Sequence, residues 1–414
     1  MAFLAFALIA RSTLFSPIFL EAVRALALIV AAFMAFLGLL QVISLERYRS
    51  YWLQIGYLFA LVLSTLGTED PLYVSFHVLS VLTVVFLSIV CYELKDSAAI
   101  NSALLTATFW AYLMVTTSSL ALVLLKPQVA YEIQWWGEMR FRGILPKAGM
   151  MGADAGVLLG LVFFTKRNVF VRLCALMTGG ACLVLTQSRT FWVATVVAGL
   201  FTYWVYYRQN RGMLLGAVAL GLVALLTVYA LDLGVKVESA KRFARVESIT
   251  NLTGRVQLWK KALEAFGERP ILGYGLTAGS TSLSRTANKS MDKENSIDES
   301  RAKAHATMHN GYIQSLLDVG IFGTFFYVAL VIRSILLIYR YDGIRTYPAE
   351  FYLLLFLGIS NISENIINAA TIFNSVLFWV LAGFATHLKS QLGKPNVLNN
   401  AAGTNLYRKV GLHG

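Results

Sequence analysis

Apolar runs of about 16 to 25 residues recur along the whole chain, and short charged turns separate them. Runs of that length, at 1.5 Å per helical residue, match the ~30 Å hydrocarbon core of a bilayer, so membrane thickness sets the element length. In lipid every backbone group must bond within the protein, which leaves helices and closed barrels. A barrel would alternate polar and apolar residues in segments of about ten, unlike these runs. The expected fold is therefore all-α: a polytopic membrane protein of about twelve transmembrane helices. Composition agrees, with 57% hydrophobic and only 14% charged residues, against roughly 25% charged in an average soluble domain.

The net charge of +13 raises the question of a nucleic-acid partner. Many of the basic residues, however, lie in short loops beside apolar runs, as the positive-inside rule describes, and nucleic-acid binding is set aside on that ground. Cys91, Cys174 and Cys182 fall within or at the ends of apolar spans without ligand-like spacing, so they read as core residues and imply no disulfide framework.

The expected spans are 3–20, 25–44, 51–66, 73–91, 102–125, 150–165, 169–185, 190–206, 213–232, 311–337, 350–366 and 371–388. Arg47 and Arg49, Lys166 and Arg167, Arg208 and Arg211, and Arg340 and Arg345 occupy alternate connections, which are thereby cytoplasmic. Lys389, Lys394, Arg408 and Lys409 put the tail on the same side, so both termini are cytoplasmic. Arg11 interrupts the first apolar run, which reads as a retained helix rather than a signal peptide. The chain thus divides into helices one to nine over 1–234, an outer loop over 235–306, helices ten to twelve over 307–390, and a polar cytoplasmic tail over 391–414. Within the outer loop, residues 237–269 are charged with helical periodicity, and Pro270 to Gly275 make a tight turn. Thr277 to Ala304 contain almost no apolar residue, so that stretch is expected to be mobile and is a candidate lid.

This topology places the unusual residues on one side. In the helix after Thr253, Val256, Trp259, Leu263 and Phe266 recur at spacings of three and four, which makes an amphipathic helix lying on the membrane or on the bundle. Arg255 falls in its first turn, where the dipole disfavours a cation and a bound anion would satisfy both the side chain and free N–H groups. A solvated arginine on a surface helix is the plain alternative. Pro270-Ile271-Leu272-Gly273-Tyr274-Gly275 closes this helix, and its glycines permit positive φ or close backbone approach. Gln187-Ser188-Arg189 stands at the outer mouth of a span, and Arg140 and Arg142 stand with Lys147 in the 126–149 loop. Each cation alone can simply snorkel to headgroups; together they offer several planar forks to a diphosphate. His309 and Asn310 stand where the outer loop re-enters the bilayer. His305 and His309 have an i, i+4 spacing but no evident third ligand, so no metal site and no cofactor is expected. A histidine there suits a base or a positioning group for a hydroxyl, and equally a packing role. Asp154 and Glu364 are candidates as charges within spans, whereas Asp318 reads as a helix-packing residue or an arginine partner.

Taken together, these residues resemble the bacterial O-antigen ligase/polymerase family. Arg255 with Trp259, Ala262 and Pro270–Gly275 looks like its arginine helix and proline-glycine turn. His309-Asn310-Gly311-Tyr312-Ile313-Gln314 through Gly323 looks like its His-Asn segment, and Leu185 to Thr190 like its serine-arginine motif. The resemblance spans roughly Leu183 to Gly323. It implies a GT-C-like enzyme of the bacterial inner membrane with a periplasmic active site: an inverting, metal-independent glycosyltransferase using an undecaprenyl-diphosphate-linked oligosaccharide. By the family pattern Arg189 and Arg255 hold the diphosphate and His309 serves the acceptor, with Arg142, Arg140, Lys147, Asn310 and Tyr274 as further substrate contacts. Arg142 to Gly152 looks most like exopolysaccharide polymerases of the family, although alanine follows Lys147 where asparagine is common. A polymerase of lipid-linked repeats is the preferred expectation and an O-antigen ligase acting on lipid A-core the second, with a chain-length regulator and a flippase as partners. A lipid-linked oligosaccharide flippase is the alternative from another class. It would carry polar residues near the midplane and related halves, whereas here they gather at one face.

Overall fold

The computed structural model describes residues 49–94, 97–133, 139–206, 253–279, 308–341, 346–367 and 373–392. The expected spans 3–20, 25–44 and 213–232, most of the polar stretch after Thr277 and the tail beyond 392 lie outside these residues. The described elements are α1 (Trp52–Ser64), α2 (Pro71–Leu94), α3 (Ser97–Leu125), the single turn α4 (Pro127–Ala130), β1 (Tyr131–Ile133) and β2 (Met139–Phe141). They continue with α5 (Ala148–Phe164), α6 (Val169–Leu185), α7 (Arg189–Tyr206), α8 (Thr253–Glu268), α9 (Gly311–Tyr341), α10 (Pro348–Ser360) and α11 (Phe373–Leu392).

Residues 71–93 of α2, all of α3, and residues 311–340 of α9 form helices long and apolar enough to cross a membrane. Helices α1, α5, α6 and α10 are shorter apolar helices. Helix α7 has one buried face and one exposed apolar face. Phe191, Ala194, Ala198 and Thr202 are buried, while Val193, Val196, Val197, Leu200, Phe201 and Trp204 form an exposed stripe on its other side. An apolar stripe three to four residues in period, facing away from the core, suits lipid. The protein is an all-α membrane protein in its architecture, with one correction. Residues 131–133 and 139–141 form a two-stranded antiparallel sheet in which Tyr131 pairs with Phe141, their rings 5.7 Å apart. Aromatic and β-branched residues in a loop outside the bundle favour this pairing.

Helix α5 is the centre of the bundle, packed by α3, α6, α7 and α10. Gly152, Gly156 and Gly160 lie on one face of it, four residues apart, and this lets Phe191, Phe356 and Tyr352 lie directly on its backbone. Asp154 of α5 accepts a hydrogen bond from Asn374 Nδ2 at 3.1 Å, and Asn374 Oδ1 accepts one from the Tyr112 hydroxyl at 2.6 Å. The buried carboxylate thus ties α5 to α11 and α3.

The long helix α9 is broken at Gly320, whose φ is 65° and ψ −171°. The break exposes helix carbonyls, and the turn after α8 takes them. Tyr274 N–H donates to Leu317 O and Gly275 N–H to Asp318 O, both at 2.8 Å, while Ile321 N–H donates to Pro270 O at 2.8 Å. This is why the turn needs its glycines. A Cβ on Gly273 (φ 68°) would lie 2.5 Å from Leu317 O, and one on Gly320 would overlap the Ile271 carbonyl. Asp318, one of the residues left at the break, is buried and accepts from Gly279 N–H at 3.1 Å and Gln314 Nε2 at 2.9 Å. Gly320→Ala is expected to cost roughly 1–2 kcal/mol for the left-handed backbone alone and more from the backbone overlap. It should detach the turn from α9, read as accelerated proteolysis between α8 and α9; a variant cleaved no faster than the wild type refutes the arrangement.

Candidate active site

The Pro270–Gly275 turn fixes one end of α8, and an apolar contact fixes its body. Ala262 packs with Tyr274, Met308 and Leu317, and Leu258, Ala265 and Phe266 adjoin that cluster. Trp259 Nε1 donates to Met308 O at 2.8 Å, directly before His309. The packed face is rotated from the one the periodicity suggests, because Val256 and Leu263 are exposed. Tertiary contact with α9 selects the smaller Ala262 for closest approach.

Docking α8 in this way brings Arg255 over the turn that follows α10. Arg255 Nη1 donates to Ser363 O at 3.3 Å, and Nη2 lies 3.6 Å from Glu364 Oε1. The other oxygen of the same carboxylate, Oε2, is 3.2 Å from His309 Nδ1. His309 has a φ of 46°, a left-handed conformation unusual for a residue with a side chain. It directly precedes the start of α9, where Asn310 Oδ1 accepts the Tyr312 and Ile313 N–H groups, each at 3.0 Å. Asn310 is therefore the cap that sets where α9 begins. Asn361 joins the two segments. Its carbonyl accepts Gly311 N–H at 2.8 Å, its Nδ2 donates to the Tyr327 hydroxyl at 2.7 Å, and its Oδ1 accepts from Ile366 and Ile367. Asn361→Leu keeps the backbone bond to Gly311 but should leave the buried Tyr327 hydroxyl and the Ile366 and Ile367 N–H groups without these side-chain partners, at roughly 1–3 kcal/mol each. The expected result is a lower thermal midpoint in detergent; an unchanged midpoint counts against Asn361 as the joint between the two segments.

The serine-arginine turn closes the group. Gln187 takes a φ of 52°, and Arg189 opens α7. Next to Arg189, Thr190 Oγ1 accepts from Ser363 Oγ at 2.8 Å; on the other side, Arg140 Nε donates to Thr186 O at 3.2 Å. Burial lowers the pKa of the Arg140 guanidinium, Glu132 and then Glu364 oppose that, and Arg255 adds to the lowering, so Arg140 shares the field of the site. A continuous series of contacts thus runs from Arg140 through the 186–190 turn and Ser363 to Arg255, Glu364 and His309.

Residues 173–328 match the O-antigen ligase family. The matched stretch contains Arg189, Arg255, the Pro270–Gly275 turn, His309 and the Gly320 break. Comparison with curated proteins gives no match. The likeness over this stretch is consistent with a membrane protein, as are the apolar helices.

The remaining expected site residues lie differently. Arg142 Nε is held by Val129 O at 3.1 Å, at the base of the hairpin. Lys147 is exposed at the position just before α5, whose Gly152 lies against Phe191, Ser188 and Thr186. Tyr274 is buried, with its hydroxyl 2.9 Å from Glu268 Oε2 and its ring 4.8 Å beneath the Arg269 guanidinium. Burial, then the Glu268 contact, pushes its phenol up to about 12. These contacts make Tyr274 a fastener of the turn. His305 lies outside the described residues. Glu364, a candidate in the sequence only as a charge near the end of a span, stands between Arg255 and His309. Its sequence signal was only an acid near the end of an apolar span; its two partners are distant along the chain.

Proposed function

We propose that this protein is a periplasmic-face membrane glycosyltransferase that takes its glycan from a polyprenyl diphosphate such as the undecaprenyl carrier. The observation that carries the reading is that Arg255 and His309 meet on the Ser363–Glu364 turn, beside the turn that bears Arg189. Such a site can hold an anionic leaving group and a hydroxyl nucleophile side by side.

In the reaction, the acceptor hydroxyl oxygen attacks the anomeric carbon from the face opposite the diphosphate, and the sugar–phosphate bond breaks with inversion. Arg255 and Arg189, with Arg140 behind them, place guanidinium forks around the diphosphate as it takes up the bonding pair. That is the electrostatic work a metal performs in other transferases, and no metal is invoked here. With Nδ1 turned to Glu364, His309 presents Nε2 to the acceptor and takes its proton.

Polymerisation of lipid-linked repeats is the preferred reaction, supported by the likeness of Arg142 to Gly152 to polymerases of the family. Transfer to lipid A-core is the second reading, supported by the ligase description of the matched family. Purified protein given a lipid-linked repeat alone should elongate it. Product formed only after lipid A-core is added would establish the ligase instead. Absence of product with either acceptor, together with movement of the substrate across a vesicle membrane, would overturn both in favour of a flippase.

A further inference from the structure

Each oxygen of Glu364 faces a different partner, Oε1 facing Arg255 and Oε2 facing His309. The Arg255 side of this arrangement is loose. At 3.6 Å the pair is longer than a charge-assisted hydrogen bond of about 2.7–2.9 Å, and the second fork nitrogen holds only a carbonyl. Arg255 and Glu364 are both partly exposed, so the pair is weak and the carboxylate can turn.

We propose that Glu364 is an internal stand-in for the donor's diphosphate and a positioning residue for His309. This rests on the glycosyltransferase reading above. A diphosphate carries more negative charge and more acceptor oxygens than a carboxylate, so it takes the Arg255 fork and repels Glu364 from it. Glu364 then interacts with His309 alone. There it holds the Nδ1–H tautomer and stabilises the imidazolium that forms as the acceptor proton arrives. Donor binding thereby prepares the base, and His309 is least well set to take the acceptor proton when Arg255 has no diphosphate. One charge opposes donor binding and assists the chemical step, so removing it moves the two in opposite directions. A purely structural glutamate would have no such signature.

Glu364→Gln keeps the size of the side chain and removes its charge. Relative to wild type, the KM for the lipid-linked donor should fall about two- to fivefold, the worth of a partly exposed ion pair. Its kcat should fall about tenfold or more, as when an orienting carboxylate is lost from a histidine. Glu364→Asp, which keeps the charge, should hold the donor KM near the wild-type value. Binding of undecaprenyl diphosphate alone to the solubilised protein gives a readout without turnover and should tighten in Glu364→Gln. A donor KM or diphosphate affinity that is unchanged or weakened in Glu364→Gln overturns the proposal, as does an unchanged kcat. Wild-type protein that transfers no glycan overturns the functional reading instead, while the binding comparison still decides the competition for Arg255.

Discussion

Replacing Arg255 by alanine should reduce kcat about 10²- to 10³-fold, the range seen when one preorganised donor to developing negative charge is removed. Arg255 sits in the first turn of α8 and reaches the Ser363–Glu364 turn with both terminal nitrogens. Its position depends on the docking of α8 through Ala262, Trp259 and the Pro270–Gly275 turn, none of which the substitution touches. Arg255→Ala should therefore remain in the membrane fraction at the wild-type level while product from a lipid-linked donor disappears. Arg255→Lys should recover only part of the rate, because an ammonium keeps the charge but loses the planar fork that matches phosphate oxygens. Full activity in Arg255→Ala would remove the diphosphate site from this end of the protein.

Replacing His309 should cost about 10²- to 10⁴-fold in rate, the usual range for a general base. The substitution must respect the backbone, since His309 adopts a φ of 46° just before the start of α9. Asparagine tolerates that conformation better than most residues, so His309→Asn isolates the loss of the imidazole from strain at the start of α9. The expected variant binds undecaprenyl diphosphate as the wild type does and transfers glycan far more slowly. Weakened diphosphate binding with an unchanged rate would assign His309 to the donor rather than to the acceptor.

The helices were legible from the chain because hydrophobic run length is a local property. The runs at 51–66, 73–91, 102–125, 150–165, 169–185 and 190–206 coincide with α1, α2, α3, α5, α6 and α7 within a few residues. The β-hairpin was not legible, since six strand residues in a loop carry too short a signal against the surrounding helices. The Pro270–Gly275 turn was readable as a place where glycine permits positive φ. What it docks into was not, because the break in α9 at Gly320 looks in sequence like one more glycine in an apolar helix.

The candidate site divides in the same way. Arg189 and His309 stood out at the mouths of apolar spans, where the bilayer makes any polar residue conspicuous, Arg140 in the loop between two spans, and Arg255 in the first turn of an amphipathic helix. Asn310 and Tyr274 stood out as neighbours in a motif, and in the structure Asn310 caps α9 while Tyr274 fastens the turn. Asn361, and the partners of Glu364, could be found only in three dimensions: Glu364 faces His309 across 55 residues of chain, and Ser363 holds Arg255 across 108. The sequence by itself determined which segments can live in lipid and which charged residues stand at their ends, because transfer from water to hydrocarbon acts on each segment alone. Only the tertiary structure decided which of those ends meet. That choice depends on the close approach of backbones at Gly273 and Gly320 and on one carboxylate shared by two partners, interactions between residues far apart along the chain.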